Sequence, residues 1–244
     1  MQKNYTWRLN LLTNIKSNLQ TVRNEINQAI KRRRDTINDS EVTLVAVTKN
    51  HDVTMIREAI DNGVTEIGEN RIQEASDKFN TLDRQVKWHL IGHLQTNKAK
   101  AAVKIFDLIH SIDSEHLATA VNNAAQSIDK VQDVLIQVNL AKEDTKSGVY
   151  LEDLDNLIKS VDNLTNLRLC GLMMIAPNYE DVEQCRPLFS KMYELFNQLQ
   201  NCKGENIKYL SMGMTHDYKI AIEEGANIVR VGTAIFGARN YNVN

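Results

Sequence analysis

Residues 42–70 read VTLVAVTKNHDVTMIREAIDNGVTEIGEN and contain the repeating unit that indicates the fold. An apolar run rich in β-branched residues (42–49) precedes an amphipathic stretch (55–62) and a second short apolar run (66–70). β-branched runs favour strands, and apolar residues at helical spacing favour helices. The stretch therefore predicts a strand, a helix and a second strand.

The same alternation continues along the chain. Strand candidates lie at 42–49, 66–70, 86–92, 108–113, 134–140, 167–175, 208–213 and 228–232. Helical patterns lie at 55–62, 72–79, 98–104, 115–127, 151–161, 182–200 and 218–224. Eight strands alternating with helices predict an α/β fold, a (β/α)8 TIM barrel over about residues 42–239. An open doubly wound sheet is the alternative, but the GxGxxG fingerprint that usually follows its first strand is absent.

The first 35 residues predict an extra N-terminal helix, because apolar residues recur at helical spacing through 1–35. The basic run at 31–34 falls at its C-terminal end, where positive charge suits the helix dipole. Acidic residues follow at once, which favours a solvated helix end over a nucleic-acid patch. We expect no linker and no second domain, so residues 1–244 form a single domain.

Composition excludes several classes of protein. The chain of 244 residues has 29 basic and 31 acidic side chains and only 2 prolines, which argues against nucleic-acid binding and a long disordered tail. No apolar stretch approaches the roughly 18 residues of a membrane span, and no signal peptide is evident. The 3 cysteines show no CxxC spacing and predict reduced thiols in a cytoplasmic protein. The histidines show no zinc-binding pattern, so we expect no metal.

Lys49 ends the first strand candidate and would lie at the barrel mouth. A desolvated lysine can attack a carbonyl to form a Schiff base. Taken alone, the position suits a surface lysine that only ends a strand. Polar residues also follow the second and third strands, where turn formation and helix capping are the simpler explanation.

The seventh and eighth strand candidates end in a pattern that predicts phosphate binding. Gly232 and Thr233 open a helical turn, and Ser211 and Gly213 lie on the neighbouring strand. Arg230 precedes Gly232 by two residues and points inward if Gly232 does. Barrels often bind phosphate at this place. With Lys49 across the mouth, the site suits a phosphorylated aldehyde. Pyridoxal 5′-phosphate (PLP) and a phosphosugar in a Schiff-base aldolase are the two candidates.

Motifs in a fixed order support one family. They are AVTK at 46–49, GEN at 68–70, QE at 73–74, WHLIG at 88–92, QVN at 137–139, KSG at 146–148, GLM at 171–173, SMGM at 211–214 and VRVGTAIFG at 229–237. With these motifs the chain resembles the pyridoxal phosphate homeostasis protein family over about residues 5–239. That family shares its fold with the N-terminal barrel of alanine racemase.

The resemblance implies the role of each site residue. Lys49 matches the lysine that forms the internal aldimine, Arg230 the arginine that faces the pyridine nitrogen, and Asn70 a residue beside the ring. The phosphate site corresponds to the segment Ser211, Met212 and Gly213 together with Gly232 and Thr233. The chain departs from the family pattern at Asn50, His51 and Asp52 and at Thr215 and His216, all at the rim of the mouth.

The resemblance also implies a carrier rather than an enzyme. The related racemases need a tyrosine from a second domain, which we do not expect here, and an arginine at the pyridine nitrogen weakens the ring as an electron sink. We therefore expect a monomer that keeps PLP available to PLP-dependent apoenzymes, with no catalytic residues. A weakly active amino-acid racemase or lyase is the alternative, and an interaction protein with a vestigial site is a further one.

Overall fold

The computed structural model describes residues 14–37, 41–143 and 146–237. Within them, parallel strands form a closed barrel in chain order, and the first strand pairs with the last. In that closing pair, Thr43 lies opposite Ile228 and Ala46 lies opposite Val231. The predicted (β/α)8 barrel is confirmed, because an open sheet would leave two edge strands unpaired.

The bounds of the elements follow the predicted alternation. The strands in the described part of the chain are β1 (Thr43–Val47), β2 (Glu66–Glu69), β3 (Lys87–Leu90), β4 (Leu108–Ile112), β5 (Gln132–Gln137), β6 (Leu167–Met173), β7 (Tyr209–Met214) and β8 (Ile228–Val231). The α-helices described are α1 (Ile15–Ile30), α2 (Val53–Asp61), α3 (Ile72–Thr81), α4 (Ala99–Ile105), α5 (Glu115–Gln126), α6 (Leu154–Asp162), α7 (Arg186–Lys203), α8 (Tyr218–Glu223) and α9 (Thr233–Phe236). Each predicted strand overlaps an observed strand.

The strands are buried on both faces, as expected for a parallel sheet covered by helices. Every residue of β4 and of β8 is buried. A large apolar cluster contains buried residues from both the strands and the surrounding helices. A separate, smaller cluster joins buried side chains of five strands: Val45, Leu108, Leu135, Cys170, Met173 and Ile228.

The N-terminal helix is shorter than predicted at its C-terminal end. Residues 1–13 of the predicted helix lie outside the described residues, and α1 ends at Ile30 instead of residue 35. In the basic run that follows, Lys31, Arg32 and Arg34 are exposed, as predicted for a solvated helix end, but Arg33 is buried. Arg33 is only 9% exposed and donates to Ile222 O (3.0 Å) and Ala226 O (2.7 Å). Carbonyls at the end of a helix lack partners within it, and those at and after the end of α8 accept from this guanidinium.

Helix α1 also supports the segment that follows β8. It packs against α8 and α9. Asn18 Nδ2 donates to Ile235 O at 2.9 Å, so α1 is hydrogen-bonded to the short helix that begins at Thr233. The extra helix thus contributes to placing the end of the barrel where a phosphate site is predicted.

Two features are absent from the described residues. No helix among them is long and apolar enough to cross a membrane. The same residues contain no group of three or more histidine, cysteine or acidic side chains placed to hold a metal ion.

Candidate functional site

A cavity of about 320 Å³ opens at the barrel mouth, where the carboxyl ends of β1, β2, β7 and β8 meet. This volume lies at the lower end of the range usual for small-molecule sites. The described residues that line it include no carboxylate. They are Val47, Lys49, His51, Asn70, Ile91, Ile175, Met214, Thr215, His216, Arg230, Gly232 and Thr233.

Five of the predicted site residues line this cavity: Lys49, Asn70, Arg230, Gly232 and Thr233. They come from segments up to 184 residues apart in the chain, from Lys49 to Thr233. Parallel strands bring their carboxyl ends to the same edge of a barrel, so residues that follow different strands meet there. The tertiary structure therefore places an amine, an amide, a guanidinium and a hydroxyl on one wall.

Lys49 lies beyond the end of β1, not at its last residue as predicted. The strand ends at Val47, and Thr48 N still donates to Gly68 O on β2 at 3.0 Å. The turn that follows contains Asn50 in the left-handed region, with φ +62°. Asp52 then caps α2 by accepting from two amides of its first turn. Lys49 is thus held in a short turn between a strand and a capped helix.

Asn70 lines the cavity, and the backbone of the segment after β3 lies close against it. A Cβ on Gly92 would lie only 2.4 Å from Asn70 O and 2.8 Å from Asn70 Cα. No side chain fits in this space, so glycine is required here. Gly92 lies two residues after Leu90, which pairs with Glu69 across β3 and β2.

Arg230 is buried on β8 and lines the cavity, which agrees with the predicted inward orientation. Its Nη1 donates to Ser211 Oγ at 2.6 Å, and its Nη2 donates to Met174 O at 2.9 Å. Burial lowers the pKa of Arg230 to about 10, and the charge of Asp217 opposes that shift. The guanidinium therefore remains protonated at neutral pH and can only donate hydrogen bonds.

A buried polar chain continues from Arg230 into the barrel. Ser211 Oγ lies 3.0 Å from His110 Nδ1, and His110 Nε2 lies 2.8 Å from His89 Nδ1. His89 Nε2 lies 2.8 Å from Glu66 Oε2, which is within ion-pair distance, but the two groups are not aligned as a hydrogen bond requires. Burial lowers the pKa of His110 well below its usual value, and the charges of His89 and Arg230 act in the same direction.

The chain joins a group that only donates to a group that only accepts. Arg230 donates at one end and the Glu66 carboxylate accepts at the other, whereas Ser211, His110 and His89 can each donate or accept, so the ring tautomers set the direction of the bonds between them. Nothing in the sequence shows that His110 lies next to His89.

Three predicted site residues, Ser211, Met212 and Gly213, are not among the described residues that line the cavity. Ser211 is fully buried and contacts Arg230, and Met212 is fully buried in the large apolar cluster. Gly213 has φ +90°, and a Cβ there would lie 2.6 Å from Ala221 Cβ on α8. Ser211 thus supports Arg230, and Gly213 allows α8 to pack closely. Their part in cofactor binding stays a prediction.

Thr215 is a site residue that the sequence prediction did not include. It lines the cavity, and its Oγ1 accepts from Gly232 N at 3.2 Å. Asp217 holds the same turn by accepting from Met214 N at 2.6 Å. The available signal was its position directly after the SMGM segment, next to the predicted phosphate residues.

The rim of the cavity carries two histidines. His51 and His216 both line it, and the His51 ring stacks on Phe236 with centroids 4.7 Å apart. Together with Lys49 and Arg230, they make this wall rich in hydrogen-bond donors. Such a site suits an anionic ligand that also carries a group able to react with an amine.

The fold and this cavity define a parallel β/α barrel with a small-molecule site at its mouth. The family model described as "Alanine racemase, N-terminal domain" matches residues 12–240. The chain is 44% identical to the pyridoxal phosphate homeostasis protein of Aquifex aeolicus, across 81% of this chain and 87% of that protein. It is 39% identical to the protein of the same name from Escherichia coli K12, across 95% and 99%. The chain therefore belongs to the alanine racemase N-terminal domain family, within its pyridoxal phosphate homeostasis proteins.

Solved structures agree with this assignment. PipY of Synechococcus elongatus, solved with PLP bound, is 34% identical, with a TM-score of 0.78 over 91% of this chain and 100% of PipY. Alanine racemase of Clostridium difficile 630 is 14% identical, with a TM-score of 0.72 over 95% of this chain and 58% of the racemase. At that identity the second comparison shows the shared fold alone.

Proposed function

We propose that this protein binds PLP as a Schiff base on Lys49 and holds it reversibly, as a carrier in PLP homeostasis. The observation that carries the proposal is the common cavity of Lys49, Arg230, Gly232 and Thr233. The names of the curated relatives and the PLP-bound PipY structure support the same ligand. When bound, PLP supplies an aldehyde that an amine can attack and a phosphate that needs several donors.

The chemistry of the cavity fits each part of this ligand. Lys49 supplies the amine, and Arg230 is a protonated donor that suits an unprotonated ring nitrogen. Gly232 and Thr233 begin a helical turn, whose first amides have no carbonyl partner within the turn. Thr215, which is already hydrogen-bonded to Gly232, adds a hydroxyl beside them. We include it with the predicted phosphate residues.

Arg230 also favours a carrier over an enzyme. A guanidinium donates to the ring nitrogen and cannot give it a full proton, so the ring is a weaker acceptor of electrons from a substrate carbanion. Reversible binding needs only the amine and the anion site. We further propose that the bound cofactor passes to PLP-dependent apoenzymes and that the protein acts as a cytoplasmic monomer.

The test is the visible spectrum of the protein loaded with PLP, before and after borohydride reduction. We expect a visible band that borohydride removes, and peptide mapping should place the reduced adduct on Lys49. The Lys49→Ala variant should lose the band after dialysis, whereas Lys98→Ala, at a lysine outside the cavity lining, should keep it. A Lys49→Ala protein that retains the band would refute the Schiff base.

A second measurement separates the carrier from an enzyme. The loaded protein is incubated with alanine or serine in deuterated water, and deuterium at Cα is followed by mass spectrometry. A carrier should exchange this proton no faster than free PLP does. Exchange that rises in proportion to protein concentration would instead support a racemase or lyase.

A further inference from the structure

A buried lysine on α3 lies at the centre of an ion cluster beside the β1–α2 turn. The side chain of Lys78 is 8% exposed, and its Nζ lies 2.7 Å from Glu69 Oε1 and 2.6 Å from Glu74 Oε1. The same Nζ donates to the backbone carbonyl of Thr48 at 2.7 Å. Three acceptors thus match the three hydrogens of the ammonium group.

This cluster binds the backbone on both sides of Lys49. On one side, Thr48 O accepts from Lys78, and Thr48 Oγ1 donates to Glu69 Oε1 at 2.5 Å. On the other side, Asn50 N donates to Glu74 Oε1 at 2.5 Å. The residue that carries the amine therefore lies between two anchored neighbours.

The anchors also account for the backbone conformation of this turn. Asn50 adopts φ +62°, which costs free energy for a residue other than glycine. The contact of its amide with Glu74 stabilises that conformation. Burying charges is costly unless each has a partner, and Glu69 is fully buried with its pKa raised by burial despite the opposing effect of Lys78. Lys78 supplies the buried positive charge that pairs with Glu69 and Glu74.

We propose that Lys78 and Glu74 are positioning residues that hold Lys49 in the geometry for attack on an aldehyde. The inference rests on the proposed function, because it concerns the same amine. Lys78 is not among the described residues that line the cavity, so it acts through the backbone of Thr48 and not on the ligand. Covalent attack is sensitive to small displacements of the nucleophile, whereas binding of the phosphate and ring by Arg230, Gly232 and Thr233 is not.

The experiment compares two ligands that differ only at the reacting group. PLP has an aldehyde, and pyridoxine 5′-phosphate has an alcohol in its place, so only PLP forms a covalent bond with Lys49. In Lys78→Met, we expect the affinity for PLP and the rate at which the visible band forms to fall about 10- to 100-fold. Affinity for pyridoxine 5′-phosphate, measured by calorimetry, should equal that of the wild type.

Lys130→Met is the matched control. Lys130 is half-buried, and its Nζ donates to Val103 O (2.8 Å) and Phe106 O (2.9 Å) at the end of α4. Its replacement removes lysine hydrogen bonds to backbone carbonyls, like the bond of Lys78 to Thr48 O, at a position outside the cavity lining. We expect this variant to lose stability while keeping the wild-type response to both ligands.

A second pair of variants tests the inference if Lys78→Met does not fold. Glu74 has a side chain that is 23% exposed, so Glu74→Ala should fold while losing the acceptor for Asn50 N. It should lose PLP affinity selectively, and Glu74→Gln, which keeps an oxygen acceptor, should restore most of it.

Equal losses for the two ligands, or no loss for either, in Lys78→Met or in Glu74→Ala would overturn the positioning role. A wild-type protein that forms no adduct on Lys49 would refute the proposed function instead. The two failures are therefore distinct.

Discussion

Two fully buried serines offer a direct test of the polar chain inside the barrel. Ser211 on β7 accepts from Arg230 at 2.6 Å and lies 3.0 Å from His110 Nδ1. Ser111 on β4 is equally buried, and its Oγ has no hydrogen-bond partner among the described residues. The same change to alanine should therefore have opposite consequences at the two positions.

The expected magnitude follows from the partners lost. In Ser211→Ala, the buried guanidinium loses an acceptor, which typically costs about 1.5–3 kcal/mol for a hydrogen bond to a charged group. His110 loses a neutral partner worth about 0.5–1.5 kcal/mol. We expect the free energy of unfolding to fall by roughly 2–4 kcal/mol and Tm to fall by roughly 5–15 °C for a chain of this size. Ser111→Ala removes a hydroxyl that is buried without a partner, so we expect no loss, or a gain of up to about 1 kcal/mol.

The assay is urea unfolding of the two cofactor-free variants beside the wild type, followed by circular dichroism. Equal m-values would show that both variants expose the same surface on unfolding. If the two variants differ by less than about 0.5 kcal/mol, the polar chain does not stabilise the barrel as its geometry implies.

Two further predictions concern the strand β7 segment and the buried histidine. Gly213→Ala should destabilise the protein by about 2–5 kcal/mol, because the left-handed backbone is strained for alanine and the new Cβ would lie 2.6 Å from Ala221 Cβ. Thermal unfolding measures this loss, and a variant with the wild-type Tm would contradict it. His110 has a lowered pKa in the folded protein, so below about pH 6.5 only the unfolded chain takes up its proton, and stability should fall by about 1.4 kcal/mol per pH unit as the pH drops. The contribution is fully present above that pH, and His110→Asn should reduce the slope of stability between about pH 5 and pH 7; an unchanged slope would show that other groups cause it.

The barrel and most of the cavity could be predicted because both depend on chain order. Strand periods, helix periods and the residues after each strand are local features of the sequence. In a parallel barrel, every residue that follows the carboxyl end of a strand lies at the mouth. For this reason one cavity is lined by Lys49, Asn70, Arg230, Gly232 and Thr233.

Other contacts could not be predicted, because they depend on strand register and on how helices dock. The orientation of Ser211 towards Arg230 depends on the register of β7 against β8, which shifts between Ser211 and Met214. The burial of Arg33 depends on the docking of α1 beside the end of α8. Neither appears in the local pattern of either segment.

The sequence by itself determined the alternation of strands and helices, the barrel and the set of polar residues at its mouth. Only the tertiary structure decided which of them share a wall, that Ser211 and the two histidines form a buried chain, and that Lys78 and Glu74 anchor the two neighbours of Lys49. The reason is physical. Backbone geometry sets the periods of strands and helices residue by residue, whereas contacts across the barrel arise from register and packing between segments distant in the chain.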